Sequence, residues 1–311
     1  MSIEHASVRA MRKPWGVSDL QPWSSIDGTG DAVGELWFER ADSNAPTPAL
    51  LLKLLFTSAP LSIQVHPGDT FARAMGMPNG KSEAWYIISA EPDAQIGVGL
   101  TRRITPQELY AAITNGSIVD LVQWRRVAKG DVIFIPAGTI HALGAGIVLA
   151  EIQQRSDTTF RLFDYGRQRE LHIDNGVAVA NAWPVRPPRD PVSLTPERTV
   201  LVAGQHFVLE RLDLPENSSW ALTADPETWV LALDGHAAIG LAALSIGQAV
   251  FVSGGRVSIE VGANGLCALV AYPASAPIGS LLHRLSGRST IPAQPATAEL
   301  TKFAGLAEAH T

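Results

Sequence analysis

Residues 127–146, VAKGDVIFIPAGTIHALGAG, restrict the architecture of this chain more than any other stretch. They read as one strand, one tight turn and one histidine. Val132 to Ile135 is a short apolar run of Val, Ile and Phe, the composition of a buried strand. Pro136 and Gly138 then impose a turn, because proline fixes φ and glycine accepts backbone angles that other residues avoid. His141 follows at the mouth of the next strand, where a rigid scaffold can hold an imidazole against a ligand. Alone, a histidine after a turn is most often a polar surface residue. Here it closes a fixed spacing: five residues between Gly130 and Pro136, one between Pro136 and Gly138, two between Gly138 and His141.

That spacing resembles the second sequence motif of the cupin superfamily, small β-barrels that hold one metal. The Asn that usually ends the motif is replaced here by Ala145. The resemblance implies further ligands on an earlier hairpin. Residues 62–67, SIQVHP, supply them, since Gln64 and His66 point the same way on a strand. Glu83 lies in residues 80–86, GKSEAWY, where Lys81, Glu83 and Trp85 share one face by the same rule. Gln64, His66, Glu83 and His141 thus make two imidazoles, a carboxylate and an amide. Such a set suits Zn²⁺ and could also hold Mn²⁺, Fe²⁺ or Co²⁺.

Composition agrees with a globular protein. The 311 residues suffice for one large or two small domains, with 46% hydrophobic and 17% charged residues. A net charge of −6 gives no reason to expect nucleic acid or an anionic membrane as partner. The single cysteine, Cys267, excludes an intrachain disulfide and reads as core filler in an apolar run. The first residues lack an apolar signal region and no run reaches eighteen apolar residues, so a cytoplasmic protein is expected.

Along the chain, residues 34–38 and 50–56 read as strands. The second, LLLKLLF, carries one charge, Lys53, which must snorkel to the edge or meet an anion in a pocket. Residues 105–124 read as helical: Thr105 as N-cap, Pro106 in first position, Glu108 completing a capping box, and Leu109, Ala112 and Ile113 at helical spacing. Four prolines between Pro184 and Pro191 suggest a linker over 186–199. Beyond it, residues 229–233, 249–252 and 257–261 read as strands split by Asp234-Gly235 and Gly254-Gly255. Residues 247–252, GQAVFV, echo residues 130–135, GDVIFI, but no Pro-x-Gly turn or His follows. His206 and His236 lack ligand spacing and read as surface residues. The expected layout is all-β: a metal-binding cupin barrel over 1–185 with its short helical segment, the linker, and a degenerate C-terminal cupin barrel plus tail over 200–311. Together these make a double jelly roll.

Three blocks make the resemblance narrower: residues 61–67, LSIQVHP; residues 80–86, GKSEAWY; and residues 151–165, EIQQRSDTTFRLFDY. They resemble the signature blocks of type I mannose-6-phosphate isomerases in their short bacterial form, over about residues 13–185. The resemblance implies a zinc-dependent double cupin, one Zn²⁺ per chain, that interconverts mannose 6-phosphate and fructose 6-phosphate. It implies Gln64, His66, Glu83 and His141 as metal ligands and Arg161 as the active-site arginine. It puts Lys81, Glu151, Asp157, Trp15 and Glu35 in the pocket, and Lys53 and Ser62 at the phosphate.

The chemistry of the residues is compatible with that implication. Aldose–ketose isomerisation moves a proton between C1 and C2 through a cis-enediol. It needs a base, an acid and positive charge near O1 and O2. Arg161, on the face of Thr159 and Phe163, can supply a guanidinium. A metal cation two residues from Lys81 would lower that lysine's pKa and make it a proton carrier. Glu151 and Asp157 are competing bases. Two other readings stay open: a metal-dependent cupin dioxygenase using Fe²⁺, and a non-catalytic sugar-binding cupin.

Overall fold

The computed structural model describes residues 1–26, 31–185, 190–225 and 227–285. Its strands form three antiparallel sheets. A six-stranded sheet runs in the order Ser7–Val17, Val33–Glu39, Leu50–Thr57, Ile147–Gln154, Glu83–Ala90, Val132–Ile135. A five-stranded sheet runs Phe160–Phe163, Ile63–Val65, His141–Leu143, Gln95–Leu100, Val122–Arg126. The remaining strands, mostly from the C-terminal half, make a ten-stranded sheet. The all-β architecture matches the expectation.

Alternation along each strand decides what each face meets. In the five-stranded sheet, Ile63, Val65, Ile140, Ala142, Phe160 and Leu162 turn outward and pack under the helices. The intervening Gln64, His141 and Arg161 face inward as cross-strand neighbours in a single row. In the six-stranded sheet, Trp37, Lys53, Glu151, Trp85 and Ile133 form the facing row. The other side of that sheet, with Phe38, Leu52, Ile152 and Ala84, packs against Leu209, Trp229 and Phe251 of the ten-stranded sheet and against Phe207 just before one of its strands. Hence every residue of Leu50–Thr57 is buried. Lys53 does not snorkel to an edge: its strand lies inside the sheet and the side chain is 3% exposed.

The helix Pro106–Asn115 carries the expected capping box. The Glu108 N–H donates to Thr105 Oγ1 at 3.2 Å, and the Thr105 N–H donates to Glu108 Oε2 at 2.7 Å. Gly116 ends it at φ 81°, a turn glycine makes without steric cost. After a further helical turn, Ile118–Leu121, the chain becomes the strand Val122–Arg126, so the helical segment stops short of residue 124. The short helices Asp69–Ala74 and Ile173–Val179 lacked a readable periodicity.

Four other expectations change. Ser2–His5, assigned by sequence to the first barrel, pairs with Ala249–Ser253 in the ten-stranded sheet. Asp234-Gly235 does not split a strand: Thr228–Ile239 runs through it by register shifts, with Gly235 at φ 73°. Within the expected linker, Val192–Thr195 pairs with Arg198–Ala203, while residues 186–189 lie outside the described residues, as does the tail from 286 onward. Cys267 is half-buried between its cross-strand neighbours Asp213 and Asp234 rather than packed in a core. Burial, with Asp213 adding, pushes its thiol up to about 12. No helix among the described residues is long and apolar enough to cross a membrane.

The face shared between the two halves sets a stability expectation. Leu52→Ala removes a 2%-exposed side chain from that core and should cost about 2–5 kcal/mol. Denaturant unfolding should show one transition at lower midpoint. Two separated transitions, with only the first shifted, would mean that the halves do not share this core energetically.

Candidate metal centre and pocket

The turn that carries His141 is tied to the strand end that carries His66. Gly138, at φ 85°, donates its N–H to the His66 carbonyl at 2.8 Å, so both imidazoles enter the barrel from one braced corner. Glu83 reaches the same point from the opposite sheet. Its approach loop is equally fixed: Lys81 N–H donates to Pro67 O at 2.9 Å, Ser82 N–H to Gln154 Oε1 at 2.9 Å, and Gly80 N–H to Asp69 Oδ1 at 2.9 Å. A side chain at Gly80 would meet the 67–69 backbone at 2.6 Å, so only glycine fits.

His66, Glu83 and His141 converge in the interior, each about 1% exposed. His66 Nδ1 donates to Thr158 O at 2.9 Å and His141 Nδ1 to Thr139 O at 2.8 Å; a carbonyl can only accept, so both protons lie on Nδ1. The bare Nε2 atoms therefore face the carboxylate, at 3.4 Å from Oε2 for His66 and 3.3 Å from Oε1 for His141. Lone pairs pointed at an anion repel. Burial, and then the Lys81 charge, push His66 down to about 3; burial likewise lowers His141, so neither imidazole relieves the contact by protonating. His66 Nε2 and both Glu83 oxygens lack a directed hydrogen bond. His66, Glu83 and His141 would hold a cation here, and a mixed N/O set of this kind fits Zn²⁺.

Gln64 completes the set. Its Nε2 lies 3.2 Å from His141 Nε2, and its Oε1 accepts from Ser62 Oγ at 3.0 Å. A half-turn of the amide exchanges the two atoms and turns Oε1 toward the imidazoles, with the Ser62 hydroxyl able to serve either form. Ser62 thus orients Gln64, although sequence placed it at the phosphate.

Beside the triad opens a cavity of about 320 Å³. Charges of alternating sign line its floor. Lys81 Nζ lies 2.9 Å from Glu83 Oε2, and Lys53 Nζ lies 3.1 Å from Glu151 Oε1 and 3.9 Å from Glu35 Oε2. Burial would raise Glu83, yet Lys81 and the other neighbouring groups together outweigh it and hold the carboxyl well below the ordinary range. Burial would also lower Lys81, but Glu83 and Glu151 prevail and raise it. The protein's own groups thus act against the lowered Lys81 expected from sequence; only an added cation charge would work the other way. Glu151 is raised by burial and by the Glu83 charge, against the pull of Lys53 and Lys81. Trp85 Nε1 donates to its Oε2 at 3.1 Å.

All the remaining expected residues line the same cavity. Trp15 and Glu35 form part of its wall, Asp157 is exposed at the edge, and Arg161 lies half-buried. A guanidinium turned into such an interior calls for a carboxylate or a substrate oxygen. Among the described residues it has no ion pair, and its Nε donates to Glu170 O at 3.1 Å. Half-burial explains this, since water reaches the guanidinium. Sequence reasoning overlooked Lys13, Arg169 and His172, which also line the cavity. For Arg169 and His172 the only signal was the density of charge over residues 164–172, DYGRQRELH, following an apolar strand.

No protein-family profile matches the chain. It is 42% identical over 137 residues to the mannose-6-phosphate isomerase ManA of Bacillus subtilis, covering 42% of this chain and 43% of that protein. That alignment therefore spans less than half of the relative. A mannose-6-phosphate isomerase of Streptococcus mutans is 33% identical over 231 residues, 68% of this chain and 71% of that one. Among solved structures, the mannose 6-phosphate isomerase from Bacillus subtilis superposes with a TM-score of 0.76 at 25% identity, over 87% of this chain and 99% of its own. A mannose 6-phosphate isomerase bound with zinc and yttrium shares the fold at a TM-score of 0.67 and 15% identity, over 88% of this chain and 100% of its own. A third of the residues identical across most of the Streptococcus protein, on the Bacillus backbone, settles the relationship: the chain belongs to the mannose-6-phosphate isomerase family.

Proposed function

We propose that the protein interconverts mannose 6-phosphate and fructose 6-phosphate, with one Zn²⁺ held by Gln64, His66, Glu83 and His141. The observation that carries this reading is the pair of deprotonated Nε2 atoms turned on a buried carboxylate beside a polar cavity. The names of the relatives supply the reaction, and the zinc in one structural neighbour supports the metal. The bound metal would polarise the sugar oxygens and stabilise negative charge on them.

The chain's own groups divide the remaining work. Arg161, next to Gln64 in the inner row, offers a guanidinium without a competing carboxylate to an oxygen that gains charge. Glu151, held above the ordinary carboxylate range, is suited to take a proton from carbon and return it. Lys53 keeps part of Glu151's charge in place, and Lys81 fixes Glu83. Trp85 directs Glu151 from the other side.

Three outcomes test this. A coupled assay on mannose 6-phosphate should lose its signal after chelation and regain it with Zn²⁺, and metal analysis should find about one ion per chain. His66→Ala should lose both metal and rate. Full activity in a metal-free preparation, or oxygen uptake in place of isomerisation, would overturn the reading.

Arg161→Ala should fold and keep its metal while kcat falls by roughly 10² or more, the scale for one preorganised charged donor. Arg161→Lys should recover only part, because an ammonium has no fork. A zinc-loaded Arg161→Ala with near-normal kcat would remove Arg161 from the chemistry.

Lys53→Met leaves Glu35 and Glu151 buried without their common cation, and should cost about 3–5 kcal/mol at neutral pH. Losing Lys53 moves both carboxyls upward, Glu151 further above its ordinary value and Glu35 by less, since Glu35 keeps Lys13 at 3.4 Å. Their protonated forms are tolerated, so the deficit should be small below about pH 4 and grow as pH rises beyond it. Unfolding at two pH values checks this; an equal deficit at both would mean that Lys53 acts by packing alone.

A further inference from the structure

A sugar phosphate carries close to two negative charges near neutral pH, and the cavity floor is a poor place for them. Lys53 and Lys81 are there, but each already faces a buried carboxylate: Glu151 at 3.1 Å and Glu83 at 2.9 Å. A dianion beside them would also meet Glu35, in surroundings where water screens little. Ser62 is engaged with Gln64. The assignment of the phosphate to Lys53 and Ser62 made from sequence therefore conflicts with the charges around them.

A different cation on the cavity wall is built for an anion. Arg169 lies over the ring of Trp15, its Cζ 5.0 Å from the centroid. Its Nε and Nη2 donate to Asp164 Oδ2 and Oδ1 at 2.6 and 2.5 Å, which leaves the Nη1 amine. Asp164 is itself buried and also bound by Arg167, whose Nη2 donates to Pro60 O at 2.8 Å. One carboxylate thus serves two guanidiniums, and the cluster keeps net positive charge. Lys13 lies against the same tryptophan at 5.5 Å but is paired with Glu35 at 3.4 Å, so the free charge is the arginines'. A guanidinium braced on two sides binds an anion without first losing freedom.

We propose that Arg169, held by Asp164 against Trp15, receives the phosphate and sets the preference for phosphorylated over free sugar. This rests on the isomerase reading above. Arg169 is the binding group, and Asp164 is a positioning residue that never touches the substrate.

The test titrates inorganic phosphate into zinc-loaded wild type, Arg169→Gln, Arg169→Lys and Asp164→Asn by calorimetry. It also compares kcat/KM on mannose 6-phosphate with that on mannose. Arg169→Gln should weaken phosphate binding roughly 10- to 100-fold, the scale for losing hydrogen bonds to a charged group, and shrink the preference ratio similarly. Asp164→Asn should move both in the same direction by less. Arg169→Lys keeps charge but no fork and should recover part of the loss; if Arg169→Gln does not fold, wild-type phosphate affinity in Arg169→Lys overturns the assignment. A folded, zinc-loaded Arg169→Gln with unchanged phosphate affinity and ratio overturns it directly. Wild type that binds phosphate through Arg169 but does not convert mannose 6-phosphate would sink the isomerase reading and leave Arg169 in place.

Discussion

A sheet buried on both faces is the constraint on which the site depends. The six-stranded sheet lies under the ten-stranded sheet on one side and forms the wall of the cavity on the other. A charge placed on such a sheet has no route to water, so it must be neutralised by neighbours. Lys53 is neutralised by Glu151 on the adjacent strand and by Glu35, two residues from its other cross-strand partner. The cavity floor is polar, yet it is organised as a lattice of opposite charges. That lattice holds side chains still and, through Lys53 and Lys81, opposes the upward shift that burial and Glu83 impose on Glu151.

The same logic explains why the triad of His66, Glu83 and His141 is poised rather than self-satisfied. Backbone carbonyls fix both Nδ1 protons, burial keeps the rings neutral, and Lys81 keeps Glu83 ionised. Each device removes a way for the triad to relax on its own. What remains is two nitrogen lone pairs and a carboxylate aimed at one point, which is the arrangement of a ligand set before its ion. Binding a cation there relieves repulsion that already exists. The folding energy of the two halves, including their common core, holds that repulsion in place.

Much of this was legible because strand periodicity turns spacing into geometry. Gln64 with His66, and Lys81 with Glu83 and Trp85, were readable as shared faces, and the Gly130 to His141 spacing marked the turn. Lys53 was readable as an anomaly, but not its solution: the partners Glu35 and Glu151 lie on strands whose register sequence does not reveal. Arg169 was invisible for a related reason. It sits in an irregular segment, after Tyr165 and Gly166 at positive φ, where no periodicity says which way a side chain points. The break wrongly expected at Asp234-Gly235 shows the reverse error. Glycine there serves a bend within a strand, and local turn chemistry cannot distinguish a bend from an end.

The pairing registers also relate the rows around the candidate site to those of the second half. Aligning residues 130–135 with 247–252 puts Trp85 on Val230, since each pairs with the corresponding Ile133 or Val250. Following the ladder outward, Glu151 falls on Val270, Lys53 on Glu210, and Glu35 on Arg198. The inner row has therefore become apolar except at one pair, and there the charges are exchanged: Glu35 with Lys53 in one half, Arg198 with Glu210 in the other. Arg198 makes a two-pronged contact with Glu210 at 2.9 and 2.8 Å, and Tyr272 donates to the same carboxylate. The guanidinium also donates to the carbonyls of Ile278 and Gly279. Thr228 stands where Glu83 would be. In the first half the buried pair leaves a carboxylate chain open to a cavity; in the second it is closed by tyrosine and main chain. One backbone plan thus supports either a reactive interior or a sealed one, and the difference lies in whether the charges beside the buried pair have partners of their own.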